Sequence, residues 1–116
     1  MEILTKEEFK NKWEIIRRRI KKEPLVFIYP TDTIYGIGCN ATDKIAVEKV
    51  REIKKRYDKP FSIIAPNNDW IKNNCKTSKK SDEWLEKLPG PYTFIFQLKN
   101  KEAVAHNVSF EVNLGV

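Results

Sequence analysis

Two short apolar runs, each shut off by proline, constrain this chain more than any other feature. Leu25-Val26-Phe27-Ile28-Tyr29 lies between Pro24 and Pro30, and Phe61-Ser62-Ile63-Ile64-Ala65 is closed by Pro66. Proline fixes φ and carries no N–H donor, so neither run can extend past its boundary into a longer regular element. Runs this short, β-branched and aromatic read as buried strands. They are also far below the roughly eighteen apolar residues that a membrane-spanning helix needs.

Helical periodicity fills the spaces between them. Thr5 followed by Glu8 forms a capping box, and Phe9, Trp13, Ile16 and Ile20 share one face, which predicts a helix over residues 6–22 that ends before Pro24. Arg17, Arg18, Lys21 and Lys22 lie on its far face. A second helix is predicted to start at an Asp43 N-cap, with Ile45, Ala46, Val50 and Ile53 at helical spacing. Shorter helices are expected around Trp70-Ile71 and around Trp84, Leu85 and Leu88, the latter stopping at Pro89-Gly90. Phe94–Leu98 reads as a third strand and Val108–Val112 as a fourth. Strands alternating with helices predict an α/β or α+β fold, a sheet covered by helices, with the pairing order left open.

The chain's 116 residues make one domain's worth, and a chain of this size buries roughly two-thirds of its unfolded surface without disulfides or metal. Four glycines, six prolines and two cysteines exclude collagen-like, low-complexity and disulfide-scaffold classes. The N-terminus is charged from Glu2 onward and has no signal-peptide core, so a soluble, cytoplasmic protein with no membrane partner is expected. Cys39 and Cys75 fit no metal or redox spacing and read as reduced packing thiols. His106, the sole histidine, has no catalytic neighbours in sequence and reads as structural or exposed.

A net charge of +6 favours an anionic partner without identifying one. Residues 44–59 concentrate the excess, with seven bases against three acids. Such a segment is commonly just a solvated helix face. However, Lys54-Lys55-Arg56-Tyr57-Asp58-Lys59-Pro60 sits where a helix passes into the Phe61 strand. Cations there complement the helix dipole, and they could equally clamp a polyphosphate.

The richest stretch is Tyr29-Pro30-Thr31-Asp32-Thr33-Ile34-Tyr35-Gly36-Ile37-Gly38, which reads as a polar loop between a buried strand and a helix. A loop at a strand's carboxyl end is where α/β sheets bind ligands, although a plain turn using glycine for positive φ is the bland alternative. Gly36-Ile37-Gly38-Cys39-Asn40-Ala41 matches the dinucleotide pattern G-x-G-x-x-A, but six residues separate these glycines from the strand end. The acidic residue expected about twenty positions on is also misplaced, so the Rossmann reading is rejected. Finally, Leu88-Pro89-Gly90-Pro91-Tyr92-Thr93 is a stiff turn that would hold the Thr93 hydroxyl in a set position.

In this order, the Tyr29–Gly38 stretch, the Lys54/Arg56/Lys59-Pro60 segment and Pro89-Gly90-Pro91-Tyr92-Thr93 resemble the YrdC-like family of threonylcarbamoyl-AMP synthases. The likeness runs from about residue 5 to the end of the chain. It implies a twisted, mixed, open sheet flanked by helices around a positive cavity. It also implies an enzyme, a nucleotidyltransferase that joins L-threonine, bicarbonate and ATP into threonylcarbamoyl-AMP and pyrophosphate for tRNA modification. By the resemblance, Arg56 and Lys54 are catalytic; Arg56, Lys59 and Thr93 bind ATP; and Thr33, Thr31, Tyr35 and Gln97 line the threonine pocket. ATP enters as substrate with Mg²⁺ on its phosphates, with no protein-held metal and no organic prosthetic group. The segment after Arg56 is spaced differently from the family pattern, which leaves open whether Lys55 or Arg56 takes the arginine position. An R-x-P stretch and a Ser-x-Asn motif that the family carries farther on are absent, which implies a single domain over residues 1–116 that is unfinished at Val116. Doubtful activity and self-association through an open sheet edge are then expected. A second reading is a non-catalytic module that binds tRNA or double-stranded RNA through the basic cavity and the Arg17–Lys22 face.

Overall fold

The computed structural model describes residues 3–30, 34–88, 92–110 and 113–116. Its elements run α1 (Lys6–Asn11), α2 (Trp13–Lys22), β1 (Val26–Pro30), β2 (Tyr35–Cys39), α3 (Lys44–Lys54), α4 (Asn68–Asn74), α5 (Lys79–Leu85), β3 (Ile95–Gln97) and β4 (Asn113–Gly115). The fold is mixed α/β with small, open sheets, as the alternation of strands and helices predicts.

The predicted first helix forms in two pieces. The Thr5–Glu8 capping box is present, and the break falls at Lys12, whose φ of −99° and ψ of 8° leave the helical region. Helical hydrogen bonding still spans the break, from the Lys12 amide to the Glu8 carbonyl at 2.9 Å and from the Ile16 amide to the Lys12 carbonyl at 3.0 Å. Neither piece contains a buried residue. This arm helps explain a Cα radius of gyration of 15.0 Å, where a tightly packed chain of this length would have about 13 Å.

The largest departure from expectation is at the glycine-rich stretch. Residues expected to be loop form a strand: β2 folds back antiparallel on β1, pairing Val26 with Cys39, Ile28 with Ile37 and Pro30 with Tyr35. No described glycine has positive φ, so the turn explanation for these glycines fails. Gly36 and Gly38 are needed for close approach instead. A Cβ on Gly38 would lie 2.9 Å from ring atoms of both Phe27 and Tyr29, and one on Gly36 would lie 3.0 Å from the Tyr29 ring. The two aromatic rings on β1 occupy the space where β2 side chains would stand, and their centroids are 5.9 Å apart.

Helix α3 is capped at Asp43, whose carboxylate accepts the Ile45 and Ala46 amides at 3.0 and 3.2 Å. Its buried face is rotated from the predicted one. Ala46, Val47, Val50 and Arg51 are buried, whereas Ile45 and Ile53 are exposed. The helix ends at Lys55, in the left-handed conformation with φ 51°.

The core gathers Val47 from α3, Ile71 from α4, Leu85 from α5, Phe96 and Leu98 from the β3 region, and Leu114 from β4. β3 pairs antiparallel with β4, and the Phe61–Ala65 run adds a parallel bridge from Ser62 to Gly115, which makes this sheet mixed. That run is extended rather than a full strand, held by Phe61 and Ile63 amides donating to the Val108 and Gly115 carbonyls, both at 2.9 Å. The strand expected at Val108–Val112 forms later, at Asn113–Gly115. Val108 and Ser109 are buried in turn and irregular structure, and Glu111 and Val112 lie outside the described residues. The Pro89-Gly90-Pro91 turn and Thr31-Asp32-Thr33 also lie outside the described residues. No helix among the described residues is long and apolar enough to cross a membrane.

Candidate functional site

A cavity of about 750 Å³ opens between the β1–β2 hairpin, the C-terminal end of α3 and the Phe61–Pro66 segment. Small-molecule sites typically span about 300–1,000 Å³, so a nucleotide-sized ligand fits. The Phe27 and Tyr29 rings, packed over Gly36 and Gly38, line it together with Ile63 and Trp70. Its cationic lining is Lys54 and Arg56, with hydroxyls from Ser62, Thr42 and Tyr29. An apolar aromatic wall beside two cations suits a ligand with a flat ring at one end and anionic oxygens at the other.

The basic segment presents its charges unequally. Arg56 faces the cavity, donates from Nη2 to the Pro60 carbonyl at 2.9 Å, and lies over the Phe61 ring at 5.3 Å. Its Nε is buried without a protein partner. Lys55, at the left-handed cap, is exposed and outside the cavity lining, so Arg56 rather than Lys55 is the cation turned to the cavity. Lys59 is exposed and outside the cavity lining, and its backbone carbonyl accepts a hydrogen bond from Arg51 Nη1 at 3.0 Å.

The remaining sequence candidates spread around the cavity. Thr93 is exposed at the start of the β3 region; its methyl lies 3.5 Å from where a Gly115 Cβ would stand, a point also 2.6 Å from the Ser62 hydroxyl. Thr93 therefore sits next to a cavity-lining residue without lining the cavity itself. Tyr35, paired with Pro30 where β1 passes into β2, is 74% exposed, and Gln97 on β3 is also exposed; neither lines the cavity. Thr31 and Thr33 lie outside the described residues.

Cys39 lines the cavity as a free thiol, pushed up to about 11 by burial and then by the nearby Asp43 carboxylate. It stays protonated near neutrality and is unsuited to nucleophilic attack. Cys75 is buried in the core and its thiol is also raised by burial, against a smaller lowering by Lys99. His106 is exposed. Among the described residues no group of three His, Cys, Asp or Glu could hold a metal ion.

Sequence reasoning overlooked Ser62, and above all Arg51. Counted among the bases of a solvated face, Arg51 is instead 1% exposed. The available signal was its position: four residues after Val47 and one after Val50, it falls on the apolar face of α3.

A family model described as telomere recombination, covering Sua5, YciO and YrdC, matches residues 19–116. A putative threonylcarbamoyl-AMP synthase of Methanocaldococcus jannaschii is 37% identical over 98 residues, covering 83% of this chain and 47% of that protein. A threonylcarbamoyl-AMP synthase of Escherichia coli O6:H1 is 32% identical over 82 residues, covering 66% of this chain and 43% of that protein. The chain thus spans less than half the length of these curated relatives. Among solved structures, a doubly substituted Sua5 from P. abyssi superposes with a TM-score of 0.76 at 28% identity, covering 92% of this chain and 33% of that one. Full-length HypF, in a phosphate- and nucleotide-bound form, superposes with a TM-score of 0.75 at 22% identity, covering 89% of this chain and 16% of that one, a likeness of fold.

Proposed function

The chain belongs to the Sua5, YciO and YrdC family, and from that premise we propose that it serves in threonylcarbamoyl-AMP synthesis from L-threonine, bicarbonate and ATP. The observation that carries this reading is the cavity itself, where Lys54 and Arg56 stand beside the aromatic wall of the β1–β2 hairpin. In the reaction the threonine amine takes up bicarbonate with loss of water to give a carbamate. A carbamate oxygen then attacks the α-phosphorus of ATP, and pyrophosphate leaves with the electron pair of the broken P–O bond. Such a displacement needs alignment and charge neutralisation more than covalent help. A site with two cations, several hydroxyls and a protonated thiol meets that need without a nucleophile.

In this assignment Arg56 holds phosphate oxygens, with Lys54 as a point charge beside it and Lys59 at the rim. Thr93 contacts the nucleotide next to Ser62, and Thr31, Thr33, Tyr35 and Gln97 contribute to the threonine side. Among the described residues the charged lining is cationic, which suits phosphate oxygens. In this assignment Mg²⁺ belongs to the nucleotide, as part of the substrate. The product would serve tRNA modification in the cytoplasm.

Calorimetric titration of the chain with ATP and with L-threonine tests the reading. Saturable binding of both is expected, with ATP affinity about tenfold lower in Arg56→Ala, the equivalent of one charged hydrogen bond. No binding of either ligand, or identical ATP binding by Arg56→Ala, would overturn it. Binding of tRNA alone, weakening steeply with added salt, would instead favour a non-catalytic RNA-binding module.

A further inference from the structure

Arg51 is a buried charge with no carboxylate partner among the described residues. Its guanidinium is matched entirely by backbone carbonyls. Nε and Nη2 donate to the Asn107 carbonyl at 2.8 and 2.6 Å, and Nη2 donates again to Val108 at 3.2 Å. Nη1 donates to the carbonyls of Arg56 at 2.9 Å and Lys59 at 3.0 Å. Arginine has five N–H donors, and each is used here. The guanidinium carbon also lies over two rings, 4.5 Å from the Phe61 centroid and 4.8 Å from that of Phe110.

The arrangement has a direction. One nitrogen, Nη1, ties together both ends of the Arg56–Lys59 turn, the turn that carries Arg56 to the cavity. The opposite edge grips residues 107 and 108, and Asn107 is fixed in turn by its side-chain amide donating to the Lys44 carbonyl at 2.9 Å. The Val108 carbonyl that Arg51 holds also accepts the Phe61 amide. Phe61 is the ring that Arg56 lies over. A lysine could not reproduce this, because its three donors radiate from a single atom and cannot span carbonyls on two sides.

We infer that Arg51 is a positioning residue: its buried guanidinium sets the shape of the Arg56–Lys59 turn and thereby the aim of Arg56 at the anionic end of the ligand. The inference rests on the nucleotide reading of the cavity for its binding consequence, while its structural half can be tested without any ligand.

The test compares Arg51→Met, Arg51→Lys and Phe110→Ala with the parent chain by amide hydrogen exchange and by titration with ATP and L-threonine. In Arg51→Met and Arg51→Lys the Phe61 amide should exchange about tenfold faster relative to the Cys75 amide, a core reference at the end of α4, as its acceptor loses its anchor. ATP affinity should fall about tenfold while L-threonine affinity stays within about threefold, a split that general loosening of the fold would not produce. Unchanged Phe61 exchange in folded Arg51→Met, or restoration of parent behaviour by Arg51→Lys, overturns the inference. If both Arg51 variants fail to fold, Phe110→Ala decides: it removes one ring and orphans no carbonyl, and a Phe61 amide no faster than in the parent overturns the inference. If the parent chain binds no ATP, the nucleotide reading falls, and the Phe61 amide still decides whether Arg51 sets the turn.

Discussion

Replacing Gly38 with alanine probes the feature that most shapes the cavity, the packing of the β1 rings onto β2. The new Cβ would meet Phe27 Cε2 and Tyr29 Cε1 at 2.9 Å each. Ordinary carbon–carbon contact is about 3.5–4.0 Å, so both rings must withdraw by roughly 0.6–1.1 Å. They cannot simply part, because both stand on the same face of β1, two residues apart. Overpacking of this kind costs about 1–3 kcal/mol, and loss of unfolded-state entropy on Gly→Ala returns about 0.4–1 kcal/mol. Both rings are half-buried and can tilt toward the cavity, which places the cost near the middle of that range, for a net destabilisation of about 1 kcal/mol. Urea unfolding followed by circular dichroism should then show a lower midpoint with unchanged slope, and the thermal midpoint should fall by about 5 °C. Gly36→Ala is the milder comparison: its nearest contacts would be Tyr29 ring and hydroxyl atoms at 3.0–3.2 Å, and it should cost less than Gly38→Ala because a single ring has to give. Adding Phe27→Leu to Gly38→Ala should recover about 0.5–1 kcal/mol as coupling energy. A Gly38→Ala chain as stable as the parent, or a double variant with no coupling, would refute the claim that ring approach dictates glycine here.

Three further outcomes follow from the same structure. Cys39 carries a raised thiol in the folded chain, so the folded state holds its proton above the ordinary thiol value of 9.0, where the unfolded state releases it. The stability it contributes is therefore complete below pH 9 and is lost toward pH 11, and Cys39→Ser should flatten that part of a pH-dependent unfolding profile. Asp43→Ala removes a side-chain cap with two amide bonds and should cost about 1 kcal/mol in urea unfolding. The rotated face of α3 predicts that buried Val47→Ala costs about 2 kcal/mol while exposed Ile45→Ala stays within about 0.5 kcal/mol; equal costs would return the face to its sequence-expected position.

What could be read from the chain was local. The Thr5–Glu8 and Asp43 caps, the helices around Trp70 and Trp84, and the proline-bounded Leu25–Tyr29 strand all form where their own side chains specify them, although the strand is shifted by one residue and is half-buried with Ile28 exposed rather than buried as expected. What escaped depends on distant partners. Tyr35–Cys39 contains two glycines and looks like a turn, yet it is a strand because Phe27 and Tyr29 fill the space its side chains would take. Val108 has strand propensity, but its carbonyl is claimed by Arg51 and by the Phe61 amide, which pins it in a turn. The burial of Arg51 is not legible in composition because its partners are backbone carbonyls, those of Asn107 and Val108 lying 56 and 57 residues away and those of Arg56 and Lys59 in the turn after its helix. At the site, Lys54 and Arg56 do come together on the cavity, while Lys59, Gln97 and Tyr35 do not line it. A basic run in sequence cannot say which of its charges a left-handed cap at Lys55 will turn inward.

In the proposed function the cavity beside the β1–β2 hairpin receives the phosphates of ATP on Lys54 and Arg56. An amide chemical-shift map of the isotope-labelled chain, titrated with ATP, tests it most directly. Saturable shifts are expected at Lys54, Arg56, Ser62 and the Gly36–Cys39 strand, all reduced in Arg56→Ala. Shifts confined to the basic face of α2, or none at saturating ATP, would contradict it.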